Sequence, residues 1–288
     1  MNCPICKSHR TKVFKTIKKE NIMICKRCRH IFFEKPPEGH ELANYYENQY
    51  AQAHAQIMIQ TDISQVAYYQ RHLEELLLYA GSDREKITIA DYGCAYPSFL
   101  SVAAARKGIR AVGIEFDLDA RKAGLEKDIE MYSPEEFFSE YPVESIDIMR
   151  FSHALEHCAD PLDVIKKCTA KIRKGGGIMY ITQPDFPVFY HGHGTEIQLK
   201  DCIYPEHLHF FNIYSLITMV ESAGLAIEKV FSHTNETGVW EKFKDKIDLD
   251  FSRKKLWDYQ KYGDGFFSKY ANFPYYCGEN SFLIARRK

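Results

Sequence analysis

Asp91-Tyr92-Gly93-Cys94-Ala95-Tyr96-Pro97-Ser98-Phe99-Leu100 leads from a short apolar run into a segment of helical periodicity. An acid, a glycine and a small residue where a strand turns into a helix let the backbone come close to a ligand, and the first helical turn offers unpaired N–H groups to a polar or anionic group. Twenty-four residues after Asp91, the next strand-like run ends in Gly113-Ile114-Glu115-Phe116-Asp117. A carboxylate at that position can accept both hydroxyls of a ribose. The loop reads G-x-A-x-x-S, without the later glycines of the dinucleotide fingerprint, so a nicotinamide cofactor has little support. Taken alone, the two segments also allow a tight strand–helix turn beside an exposed acid.

Around this loop, strand-like and helix-like runs alternate, which predicts a parallel sheet with crossover helices. Strands are expected over residues 87–90, 111–114, 146–151, 178–182, 226–231 and 281–285, and helices over 98–107, 118–127, 160–171 and 214–223. Ser133-Pro134-Glu135-Glu136 carries a capping box with proline at the first helical position, so a short helix opens there. Residues 41–80 hold apolar and aromatic positions at helical spacing and stop at Gly81, a helix-ending glycine. Residues 233–275 are aromatic and charged without clean periodicity and read as an insertion before the last strand.

The N-terminus has a different character. Cys3-Pro-Ile-Cys6 and Cys25-Lys-Arg-Cys28 are two C-x2-C pairs 18 residues apart. This is the spacing of a zinc ribbon, in which four thiolates complete a tetrahedron around a structural ion. Two disulfides are disfavoured in a reducing compartment, and a redox pair is disfavoured because there are two pairs and no surrounding βαβ pattern. Residues 1–35 carry ten basic side chains against Glu20 and Glu34, a net +8, whereas the whole chain of 288 residues has a net charge of −1, leaving −9 for the rest. The organisation expected is a zinc ribbon over 1–37, a helical linker or cap over 38–84, and an α/β domain over 85–288. With 45% hydrophobic and 27% charged residues, the chain has a globular composition. No run approaches 18 apolar residues and the first ten residues lack a signal-peptide core, so the expectation is a cytoplasmic protein with no membrane partner.

Three further segments carry a resemblance. These are Phe151-Ser152-His153-Ala154-Leu155-Glu156-His157-Cys158-Ala159-Asp160-Pro161, Ile172-Arg173-Lys174-Gly175-Gly176-Gly177, and Glu206-His207-Leu208-His209-Phe210-Phe211 with Tyr214-Ser215-Leu216 and Ala223-Gly224-Leu225. With the glycine loop they resemble class I S-adenosylmethionine-dependent methyltransferases over roughly residues 85–230. The resemblance implies an α/β fold, a Rossmann-like sheet of seven strands with the last antiparallel, here preceded by the zinc-ribbon module. It also implies S-adenosylmethionine as cofactor, held by Asp91, Gly93, Ala95, Glu115, Phe116, Phe151 and His153. His157 stands on the same rim.

The ribbon followed by this core is similar to the deoxysugar C-methyltransferases, whose Tyr-x-Glu-His constellation is matched by Tyr204-Pro205-Glu206-His207. Tyr204, Glu206 and His207 are accordingly the expected catalytic residues, with Glu206 or His207 as general base. Against that group, the 288 residues are too short to contain the large C-terminal domain with which those enzymes continue, and the loop carries Tyr96 and Pro97 where glycine is usual. The expected acceptor is a small polar molecule such as a nucleotide-linked sugar. Two alternatives are an RNA-modifying methyltransferase that uses the basic ribbon, against which the −9 of the remaining chain counts, and a non-catalytic protein that kept the fold. His191-Gly192-His193 reads as an exposed loop, there being no third metal ligand at a telling spacing.

Overall fold

The structure is a computed structural model and describes residues 1–17, 19–37, 39–46, 65–81, 85–184, 206–233 and 280–288. In chain order its elements are β1 (Thr11–Ile17), β2 (Glu20–Cys25), β3 (Ile31–Phe33), α1 (Gly39–Tyr45), α2 (Val66–Ala80), β4 (Ile87–Tyr92), α3 (Ser98–Ala104), β5 (Ile109–Ile114), α4 (Leu118–Leu125) and β6 (Glu130–Tyr132). There follow α5 (Pro134–Glu140), β7 (Ile148–Ser152), a 3-10 turn (Leu155–His157), α6 (Pro161–Lys171), β8 (Ile178–Pro184), β9 (His209–Phe210), α7 (Ile213–Ser222), β10 (Leu225–His233) and β11 (Asn280–Arg287).

The central sheet has seven strands in the order β10-β11-β8-β7-β4-β5-β6. β4, β5, β6, β7 and β8 run parallel, and β11 is antiparallel to both neighbours, as the resemblance implies. Because strand side chains alternate between faces, β4, β5, β7, β8 and β11 each contribute to two separate cores. Ile87, Ile89, Ile148, Ile178, Tyr180, Phe282 and Ile284 pack against Leu73, Leu76 and Ala80 of α2 and Phe99, Leu100 and Ala103 of α3. The intervening residues, among them Ala90, Met149, Phe151, Met179 and Leu283, pack against α5, α6 and α7. Strands covered on both faces become near-continuous apolar runs, which is why they are readable in the sequence.

The chain goes from β4 to β5 and β6 on one side, then returns to β7 and β8 on the other. The carboxyl ends of β4 and β7 therefore flank the topological switch point, where open α/β sheets bind ligands.

Local signals set the helix ends. Ser133 accepts from Glu136 N and Glu136 caps back, so the capping box of α5 forms as expected. Asp160 caps α6 ahead of Pro161, and Gly81 ends α2 at φ +58°. The expected helix over 98–107 stops at Ala104 and gives way to turns.

A second sheet runs β1-β2-β3-β9 and joins the N-terminal strands to the α/β core. Ile31 and Phe32 pair with Phe210 and His209, and Cys3, Ile5, Met23 and Phe32 belong to the same apolar cluster as Phe211 and Ile213. His30 and His209, both buried, hydrogen-bond at 3.0 Å across this joint. Asn212 both caps α7 and donates to the Arg29 carbonyl at 2.8 Å. Among the described residues no helix is long and apolar enough to cross a membrane.

Candidate active site

A cavity of about 740 Å³ opens at the switch point. One wall is the loop after β4. Gly93 has φ +70°, and a Cβ there would stand 2.8 Å from the Ala154 Cβ, so only glycine lets this turn pass the end of β7. Ala95, at φ +48°, donates its N–H to Glu115 Oε2 at 2.7 Å. Glu115 Oε1 accepts from the N–H groups of Phe116 at 2.7 Å and Asp117 at 3.1 Å. Burial pushes the Glu115 carboxyl up, while these three N–H groups pull it down. Three of roughly four acceptor positions on the carboxylate are thus taken by the backbone. Gripping both ribose hydroxyls would require displacing one of those bonds. Phe116 lies 37% exposed at the rim, and Pro134 and Phe138 line the cavity nearby.

The facing wall comes from the end of β7, the 3-10 turn and the segment entering β9. His153, at φ +52°, Glu156 and His157 line it together with Glu206 and His207. Tyr45, at the end of α1, donates to Glu206 Oε1 at 2.5 Å. Tyr46 places its hydroxyl 2.8 Å from His157 Nδ1. Burial lowers the His207 imidazole to about 4 against the pull of Glu156, so it is neutral near pH 7. For Glu156, burial would raise the carboxyl, but His153, His157 and His207 together bring it down to about 2.

Of the residues expected to hold the cofactor, Gly93, Ala95, Glu115, Phe116 and His153 line the cavity. Asp91 and Phe151 do not. Asp91, 2% exposed, pairs with Arg150 Nη1 at 2.6 Å beneath the loop. Phe151 is fully buried, 5.3 Å from the Tyr92 ring. Both support the site from below because their positions on the strands turn them into the sheet's cores. Tyr204, His191 and His193 lie outside the described residues, as does the expected insertion from residue 234 onward. Sequence reasoning missed Tyr45, Tyr46 and Arg150. The two tyrosines sit in a stretch read only as helical, and Arg150 stands in an otherwise apolar strand, a signal that could have been used.

The four N-terminal sulfurs also converge. Cys3 and Cys28 stand 3.5 Å apart, as do Cys6 and Cys25, and all four lie within 4.8 Å of one another. Four sulfurs 2.3 Å from one ion would sit about 3.8 Å apart, so the set fits a tetrahedral ion. None is disulfide-bonded, and Arg27 donates its N–H to Cys25 Sγ at 3.3 Å. Hydrogen bonds from Cys28, Cys3 and Cys6 hold the Cys25 thiol well below its usual range.

The sheet order, with its glycine turn and acid at the switch point, defines the class I S-adenosylmethionine-dependent methyltransferase fold. A family model described as a methyltransferase domain matches residues 65–230, and the chain belongs to that family. It is 28% identical over 160 residues to a ubiquinone biosynthesis O-methyltransferase of Stutzerimonas stutzeri, covering 51% of this chain and 67% of that protein. It is 30% identical over 105 residues to the ubiquinone biosynthesis O-methyltransferase of Histophilus somni, but there it spans only 44% of the relative's length and 33% of its own. Among solved structures, a SAM-dependent methyltransferase from Archaeoglobus fulgidus shares the fold at a TM-score of 0.52 and 18% identity, over 77% of this chain and 94% of that one. A geranyl diphosphate C-methyltransferase from Streptomyces coelicolor does so at 0.53 and 12%, over 76% and 77%.

Proposed function

We propose that the chain transfers a methyl group from S-adenosylmethionine to a small polar acceptor that enters over Tyr46, His157, Glu206 and His207. The observation that carries this reading is one continuous cavity with the glycine turn and Glu115 on one wall and Glu206 and His207 on the other. The residues fit the cofactor: the turn at Gly93 is a cradle that a side chain would fill, Glu115 supplies the polar anchor, and Phe116 and Phe138 supply apolar surface. When bound, S-adenosylmethionine supplies an electrophilic methyl group on its sulfonium. Methyl transfer is mostly a matter of positioning, and Tyr45 and Tyr46 contribute by fixing Glu206 and His157.

His207 is the base we assign, and it takes the acceptor's proton on a ring nitrogen. An imidazole of low basicity works best on an acceptor whose own proton is acidic. This favours a phenolic or enolic hydroxyl over a sugar hydroxyl or carbon, and the O-methyltransferase names of the curated relatives point the same way. The similarity to sugar C-methyltransferases, resting on the ribbon and on Glu206-His207, supports the nucleotide-linked sugar as the second reading. We further propose that Cys3, Cys6, Cys25 and Cys28 bind one structural zinc that leaves no coordination position open for chemistry.

Calorimetric titration with S-adenosylmethionine, followed by transfer of labelled methyl to phenols and to nucleotide-linked sugars, tests the proposal. A folded protein that binds no S-adenosylmethionine overturns it.

A further inference from the structure

Glu156 and His157 on the 3-10 turn and His207 before β9 form a cluster, of which methyl transfer with a single base uses His207 alone. Their ligating atoms all lie within 4.8 Å of one another. Glu156 is 1% exposed, and among the described residues neither carboxylate oxygen has a hydrogen-bond partner. His153 Nδ1 stands 3.6 Å from Oε1. A carboxylate removed from water with its lone pairs unfilled is costly unless a cation meets it.

The imidazoles are arranged to help. His157 Nδ1 lies 2.8 Å from the Glu206 carbonyl oxygen. A carbonyl only accepts, so Nδ1 carries the proton and Nε2 keeps its lone pair. Metal-binding histidines are commonly oriented in this way, by a hydrogen bond from the other ring nitrogen. The His207 ring stands edge-on to His157 at 4.8 Å between centroids. Atoms bound to one ion at 2.0–2.2 Å are about 3–3.5 Å apart, a spacing that small side-chain rotations reach.

We propose that Glu156, His157 and His207 bind one divalent transition-metal ion at the acceptor end of the cavity. Two imidazoles and one carboxylate suit zinc, iron, cobalt or manganese better than magnesium, and three protein ligands leave coordination positions for an incoming oxygen. With the ion bound, His207 gives its lone pair to the metal and is no longer the base: the ion would polarise an acceptor hydroxyl, and the proton released would pass to the Glu206 carboxylate on the same wall. That catalytic use rests on the function proposed above, whereas the binding itself does not. The cysteine cluster is a separate site, since none of its four residues lines this cavity.

The test uses the full chain loaded with one equivalent of zinc, dialysed, and titrated with cobalt(II). One further equivalent is expected, with visible d–d absorption but no sulfur-to-cobalt charge-transfer band, and with affinity at least tenfold weaker in Glu156→Gln and in His207→Ala. Should Glu156→Gln fail to fold, His157→Ala replaces it in the comparison. The proposal is overturned by no uptake beyond the first equivalent, by a sulfur charge-transfer band on the extra ion, or by uptake that His191→Ala or His193→Ala abolishes while the cavity variants retain it. S-adenosylmethionine titration of the same preparation reports separately on methyl transfer, so the two readings can fail independently.

Discussion

Gly93 and Glu115 shape the wall proposed to hold the cofactor. Gly93→Ala places a Cβ 2.8 Å from Ala154 at a φ of +70°, and is expected to destabilise the fold by about 1–3 kcal/mol, measured by urea denaturation. Glu115→Ala removes the acceptor for three backbone N–H groups along with the proposed contact to the cofactor. It should weaken S-adenosylmethionine binding by about 1–3 kcal/mol, and an unchanged dissociation constant in a folded variant would show that the anchor lies elsewhere. Replacing His207 by Asn should leave cofactor affinity nearly intact while lowering turnover by about 10²–10⁴-fold; equal turnover on the true acceptor would remove its role as base. Gly93 and Glu115 are legible in the sequence because each sits in a short run where a strand ends and a loop begins. The bond from Tyr45 to Glu206 joins positions 161 apart. No local pattern encodes a partner at that distance.

At the scale of elements, the joint between ribbon and core turns on Asn212. Its side chain accepts from Tyr214 N and Ser215 N to cap α7 and donates to Arg29 across the joint. Asn212→Ala loses the cap and the bond to the Arg29 carbonyl, costing about 1–2 kcal/mol. A denaturation midpoint equal to that of the parent would refute this. The same contrast governs legibility here. α5 and α6 are readable because their caps and prolines lie within a few residues of the helices they start. β6 and β9, three and two residues long, are too short for periodicity to register, and β9 exists only because β3 lies beside it.

At the scale of the molecule, burial sets the response to acid. His30, His72 and His209 are each buried and held below the ordinary imidazole range by desolvation, His209 at about 4. Unfolding therefore takes up protons that the folded chain does not bind once the pH falls below about 6.5. Stability is full above that value and declines as the pH falls from about 6.5 through about 4, where the folded His209 takes up its proton, so the melting temperature should drop there; a flat profile would contradict the assignment. The apolar sheet and its antiparallel last strand are legible because β4, β7, β8 and β11 repeat the same two-faced burial, whereas the joining of ribbon to core has no counterpart in composition or charge. That joint makes the N-terminus more than a bead on a string. A fragment beginning at residue 38 would bare the open edge of β9 and the side chains of Phe210 and Phe211, and an unpaired apolar edge invites self-association. Expression of the catalytic core alone should give aggregates, and a ribbon borrowed from another protein would have to bring a matching third strand.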